Sequence, residues 1–241
     1  MNLPDASIAG ASRKPAAAGC DACGFVLAGG QSSRMGRDKA LLSFAGRPLI
    51  AHALSILREA GLPVSIAGVN PQAGDLQENG ALATFAPIVE DPQPGLGPLA
   101  GICAVLASVG TRYVVFLPVD LPLLPSSLIA YMLHHAEITG LPVTVPAVSG
   151  FSQTFPVVLD RAVLPALQND LHSGQRGCFS AFQAAAKSLG QPVASIAVEL
   201  LVQSGQITHP LGLAAAHWFL NVNTPQDLHR AEAVIARVMR A

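Results

Sequence analysis

The sequence predicts an α/β protein with a mostly parallel central sheet and helices on both faces. From Gly24 onward, short apolar runs alternate with longer stretches of helical period, the pattern of strands joined by helical crossovers. The run Tyr113-Val114-Val115-Phe116-Leu117 is apolar at every position, as in a parallel strand covered on both sides. With 241 residues, 51% hydrophobic and only 12% charged, the chain can bury a substantial core.

In chain order the expected strands are Gly24 to Ala28, Val64 to Val69, Ile88 to Glu90, Tyr113 to Val119, Val143 to Ala147 and Trp218 to Val222. The helices between them show their buried stripes: Ile50, Ala53, Leu54 and Leu57, then Leu99, Ile102, Cys103 and Leu106. A third starts at Ser126 and carries Leu128, Ile129, Met132 and Leu133. The last opens with Thr224 as N-cap and Pro225 at the first helical position, where the missing N–H costs nothing, and turns Leu228, Ala231, Ile235 and Val238 inward. With no fixed-period repeat and no clean linker, the organisation reads as a tail over residues 1–22 and one domain over 23–241. Pro156, Pro165, Pro192 and Pro210 interrupt residues 150–210, so a less regular lobe is expected there.

A formal net charge of -1 leaves no global basic excess for a nucleic-acid backbone or an anionic membrane, so any phosphate binding must be local. The longest weakly polar stretch, Pro98 to Val109, is shorter than the ~20 residues that cross a bilayer. Met1 to Ala18 lacks the apolar core of a secretory signal, and the expected location is the cytoplasm. Of the four cysteines only Cys20 and Cys23 form a C-x-x-C pair; one pair cannot complete a tetrahedral zinc site, and free thiols are the expected state. The histidines form no H-E-x-x-H pair, and no G-x-S-x-G elbow offers an acyl-transfer serine.

In an open α/β sheet, ligands lie beyond the carboxyl ends of the strands. Four loops there hold polar groups. The first, Leu27 to Lys39, reads L-A-G-G-Q-S-S-R-M-G-R-D-K; Gly29 and Gly30 let the backbone approach a ligand, and Arg34 and Lys39 supply charge for a polyphosphate. It is neither a Walker A loop nor a G-x-G-x-x-G turn. A bare Gly-Gly is more often an ordinary turn with exposed cations, but the whole arrangement after a buried strand favours phosphate binding. In the second, Asp120-Leu121-Pro122, an acid ends the most apolar strand, where a Mg²⁺ bridging it to phosphate oxygens would satisfy its charge. Capping of the next turn is the structural alternative. The third, Asn221-Val222-Asn223-Thr224-Pro225, would place both asparagines on one side of a strand end, toward metal-bound water or substrate, or serve only as a helix cap. The fourth, Glu90-Asp91 with Pro94 to Gly101, brings glycines to a helix start, where anions are favoured; a plain proline-rich turn is the alternative.

Taken together, L-A-G-G-x-S-S-R-M-G-x-D-K at Leu27 to Lys39, G-P-L-A-G at Gly97 to Gly101, P-x-D-x-P at Pro118 to Pro122 and N-V-N-T-P at Asn221 to Pro225 resemble the molybdenum cofactor guanylyltransferases (MobA-type). The resemblance implies a Rossmann-like fold of the nucleotide-diphospho-sugar transferase type. It also implies binding of GTP and Mg²⁺, transfer of GMP to molybdopterin with release of pyrophosphate, and molybdoenzymes or cofactor-delivery proteins as partners. Matched by motif, Leu27, Ala28, Gly29 and Gly30 would meet the nucleotide, with Arg34 and Lys39 on its phosphates. Asn70 and Asp91 would add nucleotide contacts, and Asp120 would bind nucleotide and Mg²⁺. Asn221, Asn223 and the Arg176 of Gly174-Gln175-Arg176 would face the metal shell or the acceptor. Rival readings are a cytidylyltransferase or sugar-phosphate nucleotidyltransferase of the same superfamily, and a non-catalytic GTP-binding or cofactor-chaperone module. A phosphate monoester, with a second pKa near ~6, is already largely dianionic at neutral pH. The expected chemistry therefore needs no general base; it needs alignment of two anions and screening of their repulsion.

Overall fold

The computed structural model describes residues 21–28, 39–69, 76–91, 95–174 and 177–238. The elements run β1 (Ala22–Leu27), β2 (Ser43–Phe44), β3 (Arg47–Pro48), α1 (Leu49–Glu59), β4 (Val64–Val69), α2 (Leu76–Ala83), β5 (Ile88–Glu90), α3 (Pro98–Ser108) and β6 (Tyr113–Pro118). They continue with α4 (Ser126–Thr139), β7 (Val143–Val148), β8 (Phe151–Ser152), β9 (Val157–Asp160), α5 (Leu164–His172), α6 (Cys178–Ser188), β10 (Ala194–Ala197), α7 (Val198–Gln203) and α8 (Pro225–Val238). β1 starts at Ala22, which is fully buried, one residue inside the segment expected to be tail.

The main sheet has the order β10-β7-β9-β6-β1-β4-β5, with β8 paired to β7. Every pairing along that order is parallel except those of β9, which runs antiparallel between β6 and β7. This is the expected α/β class with a mostly parallel sheet. Side-chain alternation divides the core between its two faces. Ala22 and Val26 of β1, with Tyr113, Val115 and Leu117 of β6, pack on the side of α1, α4 and α8; Phe25 and Leu27, with Val114 and Phe116, pack on the side of α3, α5 and α6.

Two close approaches set helix positions. A Cβ on Gly24 would lie 3.1 Å from Leu57 Cδ1 and 3.3 Å from Leu57 Cβ, so α1 rests directly on the β1 backbone. A Cβ on Gly101 would meet the Cα of Gly68 at 3.4 Å, where β4 shifts register between Ala67 and Val69. α3 therefore crosses β4 with little between the two backbones.

Two expectations are corrected. Trp218 to Val222 is not a strand. It follows a short 3-10 turn, Ala215–His217, and Trp218 is a fully buried anchor whose indole Nε1 donates to the Leu213 carbonyl at 2.8 Å. Residues 150–210, expected to be less regular, contain β8, β9, α5, α6, β10 and α7, and two of those strands belong to the main sheet order. None of their prolines breaks an element: Pro156 precedes β9, Pro192 precedes β10, Pro210 lies in a turn, and Pro165 sits in the first turn of α5, where no intrahelical N–H bond is lost.

Candidate functional site

Strand order places the site. From β1 the chain winds outward through β4 to β5, then returns on the other side of β1 as β6. The loops leaving β1 and β6 diverge there, opening a crevice at the carboxyl edge. Leu27 and Ala28 end β1 at this edge, with the Leu27 carbonyl accepting from Val119 N–H at 3.2 Å and Ala28 N–H donating to the Ala67 carbonyl at 3.0 Å.

Three side chains from distant parts of the sequence meet beside them. Lys39 Nζ donates to Asp120 Oδ2 at 2.9 Å and to Asn223 Oδ1 at 2.6 Å. Each is fixed by local packing. Lys39 opens a 3-10 turn whose next residue, Ala40, is fully buried, and the chain is pinned again by buried Phe44 in the β2-β3 hairpin. The imidazole of His52 meets the Phe44 ring edge-on, with Nε2 2.8 Å from the Phe44 carbonyl, and Ala45 N–H donates to Glu232 Oε1 of α8 at 3.2 Å. Asp120 is flanked by buried Val119 and Leu121, which hold its backbone while the carboxylate stays about one-fifth accessible, 21%. Its carbonyl accepts from Val222 N–H at 2.9 Å, tying the loop after β6 to the segment before α8.

Asn223 is set by a reciprocal cap on α8. Asp227 Oδ2 accepts from the N–H groups of Asn223 and Thr224 and from the Thr224 hydroxyl, while Asp227 N–H donates back to Thr224 Oγ1. The Thr224 hydroxyl bond, more than any other contact, holds the Asp227 carboxyl below the usual carboxylate range. T-P-Q-D at Thr224 to Asp227 has the spacing of a capping box, and its acidic member, Asp227, is a positioning residue not among the sequence candidates.

The metal-donor atoms that meet here are oxygens, those of the Asp120 carboxylate and the Asn223 carboxamide. That set suits a hard divalent cation such as Mg²⁺, which binds through one or two carboxylates plus substrate phosphates and water. Asp91, 7% exposed, follows β5, three strand steps or about 14 Å from β6 along the same edge.

Residues 24–189 match the family described as the MobA-like NTP transferase domain. The chain belongs to that family. A molybdenum cofactor guanylyltransferase of Rhizobium meliloti is 32% identical over 216 residues, covering 86% of this chain and 89% of the relative. One of Xanthomonas euvesicatoria is 40% identical over 116 residues, covering 47% of this chain and 54% of the relative. The crystal structure of molybdopterin-guanine dinucleotide biosynthesis protein A from Archaeoglobus fulgidus superposes with a TM-score of 0.67 at 21% identity, covering 89% of this chain and 98% of that one. At that identity the likeness speaks to the fold alone.

Lys39 and Asp120, inside the matched residues 24–189, meet Asn223, which lies beyond them, with Leu27 and Ala28 at the adjoining strand end and Asp91 farther along the edge. Asn221 is exposed and makes no side-chain hydrogen bond among the described residues; with no strand at Trp218 to Val222, no pleat aligns it with Asn223. Gly29, Gly30, Arg34, Asn70 and Arg176 lie outside the described residues. Cys103 and Cys178 are buried free thiols, each pushed up to about 11, chiefly by burial, and Cys23 bonds Thr111 Oγ1 at 3.0 Å near the opposite end of the sheet. None of these three belongs to the crevice. Among the described residues no helix is long and apolar enough to cross a membrane.

Proposed function

We propose that the protein transfers GMP from GTP to the terminal phosphate of molybdopterin, releasing pyrophosphate. The observation that carries this reading is the convergence of Lys39, Asp120 and Asn223 on the crevice between β1 and β6, supported by relatives named for that activity. A phosphate oxygen of the acceptor forms a bond to the α-phosphorus of GTP. The bond from that phosphorus to the bridging oxygen of the β-phosphate breaks, and its electron pair leaves with pyrophosphate.

The acceptor phosphate is largely dianionic near neutrality, so no side chain need remove a proton. What the site must do is bring two anions into line and hold them there. Lys39 reaches the crevice from a buried turn and is already desolvated to 17% side-chain exposure, so its ammonium would exchange the Asp120 carboxylate for triphosphate oxygens with little rearrangement. Asp120, released from the lysine, would hold Mg²⁺, with Asn223 positioned by the α8 cap to orient the metal's water. Bound Mg²⁺ supplies screening of the triphosphate and of the charge that builds on the departing pyrophosphate. Leu27 and Ala28 would border the nucleoside, with Gly29, Gly30, Arg34, Asn70 and Asp91 completing its site and Arg176 reaching the acceptor.

The test is pyrophosphate release by the purified protein with Mg²⁺ and molybdopterin, offered GTP or CTP. Turnover with GTP is expected. Turnover confined to CTP would assign a cytidylyltransferase, and nucleotide binding without turnover for any acceptor would assign a binding module.

A further inference from the structure

The segment that joins α7 to α8 does more than connect them. Among the described residues, three bonds strap it to the Asp120 loop and the start of α4. Ser127 Oγ donates to the Thr208 carbonyl at 2.6 Å, the adjacent His209 hydrogen-bonds the Leu123 backbone, and Val222 N–H donates to the Asp120 carbonyl at 2.9 Å. The strap ends at Asn223, whose carboxamide oxygen lies 2.6 Å from Lys39 Nζ. The two oxygens assigned above to the cation therefore share one frame: Asp120 stands on the loop that the strap grips, and Asn223 on the strap itself.

His209 is built to hold that frame. Its Nδ1 accepts from Leu211 N–H at 3.0 Å, so that nitrogen carries no proton and Nε2 is left as the donor of the neutral ring. Burial, the larger influence on its proton affinity, favours this neutral form. The bond to Leu211 closes a turn and orients the imidazole within its own segment. The ring also lies 6.0 Å, centroid to centroid, from the indole of the fully buried Trp218. At the other end of its reach, Leu121, Leu123 and Leu124 are buried, but apolar contact is non-directional and does not fix the angle at which Asp120 leaves the loop. That angle is left to directional bonds: Val119 N–H to the Leu27 carbonyl before Asp120, Val222 N–H at it, and His209 on Leu123 after it.

We infer that His209 is a positioning residue for the cation site: by clasping Leu123 from a strap that ends at Asn223, it sets the Asp120 and Asn223 oxygens relative to one another. The inference deepens the proposed function and rests on it only in taking those oxygens as the place where metal and nucleotide bind. Residues that orient metal ligands from behind typically govern affinity or activity by ~10–100-fold, the range in which this clasp should act.

The experiment uses the full chain with His209→Ala and His209→Asn, and its probe is Mn²⁺ with GTP and no acceptor, followed by electron paramagnetic resonance. Asparagine can offer its carboxamide oxygen to Leu211 N–H and keep the turn, but it is too short to reach Leu123 as the ring does. At a temperature where circular dichroism shows each variant folded, both should bind Mn²⁺·GTP about tenfold or more weakly than wild type, while GTP binding in the presence of chelator moves less than threefold. Wild-type affinity in His209→Asn would show that His209 serves its own turn alone, and would overturn the inference. Equal weakening of metal-free GTP binding would show a general disturbance of the nucleotide site and would overturn it too. A wild-type chain that bound Mn²⁺·GTP but turned over with no acceptor would remove guanylyl transfer and leave the clasp standing; one that bound no Mn²⁺·GTP would remove both.

Discussion

Replacing Lys39 by Met separates what the lysine does for the fold from what it does for the reaction. Methionine keeps the length and much of the apolar stem but removes the ammonium that bridges Asp120 and Asn223. Surface ion pairs are worth ~0–1 kcal/mol, whereas removing one member of a fully buried pair costs ~3–5 kcal/mol. Lys39 and Asp120 retain 17% and 21% of their side-chain exposure, and Asn223 is exposed, so water can reach both orphaned oxygens. The stability cost should fall near the lower limit, about 1 kcal/mol, a thermal shift of roughly 2–4 °C for a chain of this size. The transition state, by contrast, loses a preorganised cation beside the triphosphate, an effect on the order of 10²- to 10³-fold in kcat/KM. Thermal unfolding and pyrophosphate release on the same preparation read both numbers. A variant that unfolds more than about 10 °C early would make Lys39 a structural residue, and one within threefold of wild-type turnover would remove it from catalysis; either result refutes the reasoning.

Two further outcomes follow from packing and charge. Gly24→Val would drive a branched side chain into Leu57 and Leu62 of the core, costing about 1–3 kcal/mol, and should lower the thermal midpoint with activity falling only as folded protein is lost; an unchanged midpoint would contradict the close approach of α1 to β1. Burial holds His52 and His209 below the ordinary imidazole value, against the opposing hydrogen bonds of His52 to the Phe44 carbonyl and of His209 to the Leu123 backbone. The unfolded chain takes up these protons near pH ~6.5, while the folded chain does so only at lower pH. Their contribution is thus complete above that value and is lost as pH falls from it toward the depressed folded values. The urea midpoint should drop between pH 7.5 and 5.5, by less in His52→Gln, and a His52→Gln profile as steep as wild type would count against it.

Most of the sheet was legible because its central strand, Tyr113 to Leu117, is buried at every position and Val64 to Val69, Ile88 to Glu90 and Val143 to Ala147 stand out as short, largely apolar runs between helical periods. Failures came where one signal has two physical causes. The apolar run from Trp218 reads as a strand, yet it is apolar because Trp218 and Val222 plug the core from an irregular segment. Pro165 reads as a breaker, yet in the first turn of α5 it removes no hydrogen bond. β10 has only four residues and shows its alternation in Ala194 and Ile196 alone, too little to separate it from a loop. At the site, Asp120 could be singled out as an acid ending an apolar strand, Asn223 beside a helix cap, and Lys39 as a cation of the glycine-containing loop after β1. Their contact through one ammonium was not readable, since it depends on a register between loops that only the folded sheet fixes.

The central claim, that Asp120 at this edge grips a divalent cation together with the nucleotide, is tested most directly by electron paramagnetic resonance of Mn²⁺ substituted for Mg²⁺ in the presence of GTP. Wild-type protein should immobilise the Mn²⁺·GTP complex, and Asp120→Ala, with an unchanged circular dichroism spectrum, should release it. Mn²⁺·GTP immobilised as strongly by the alanine variant as by the wild type would contradict the account.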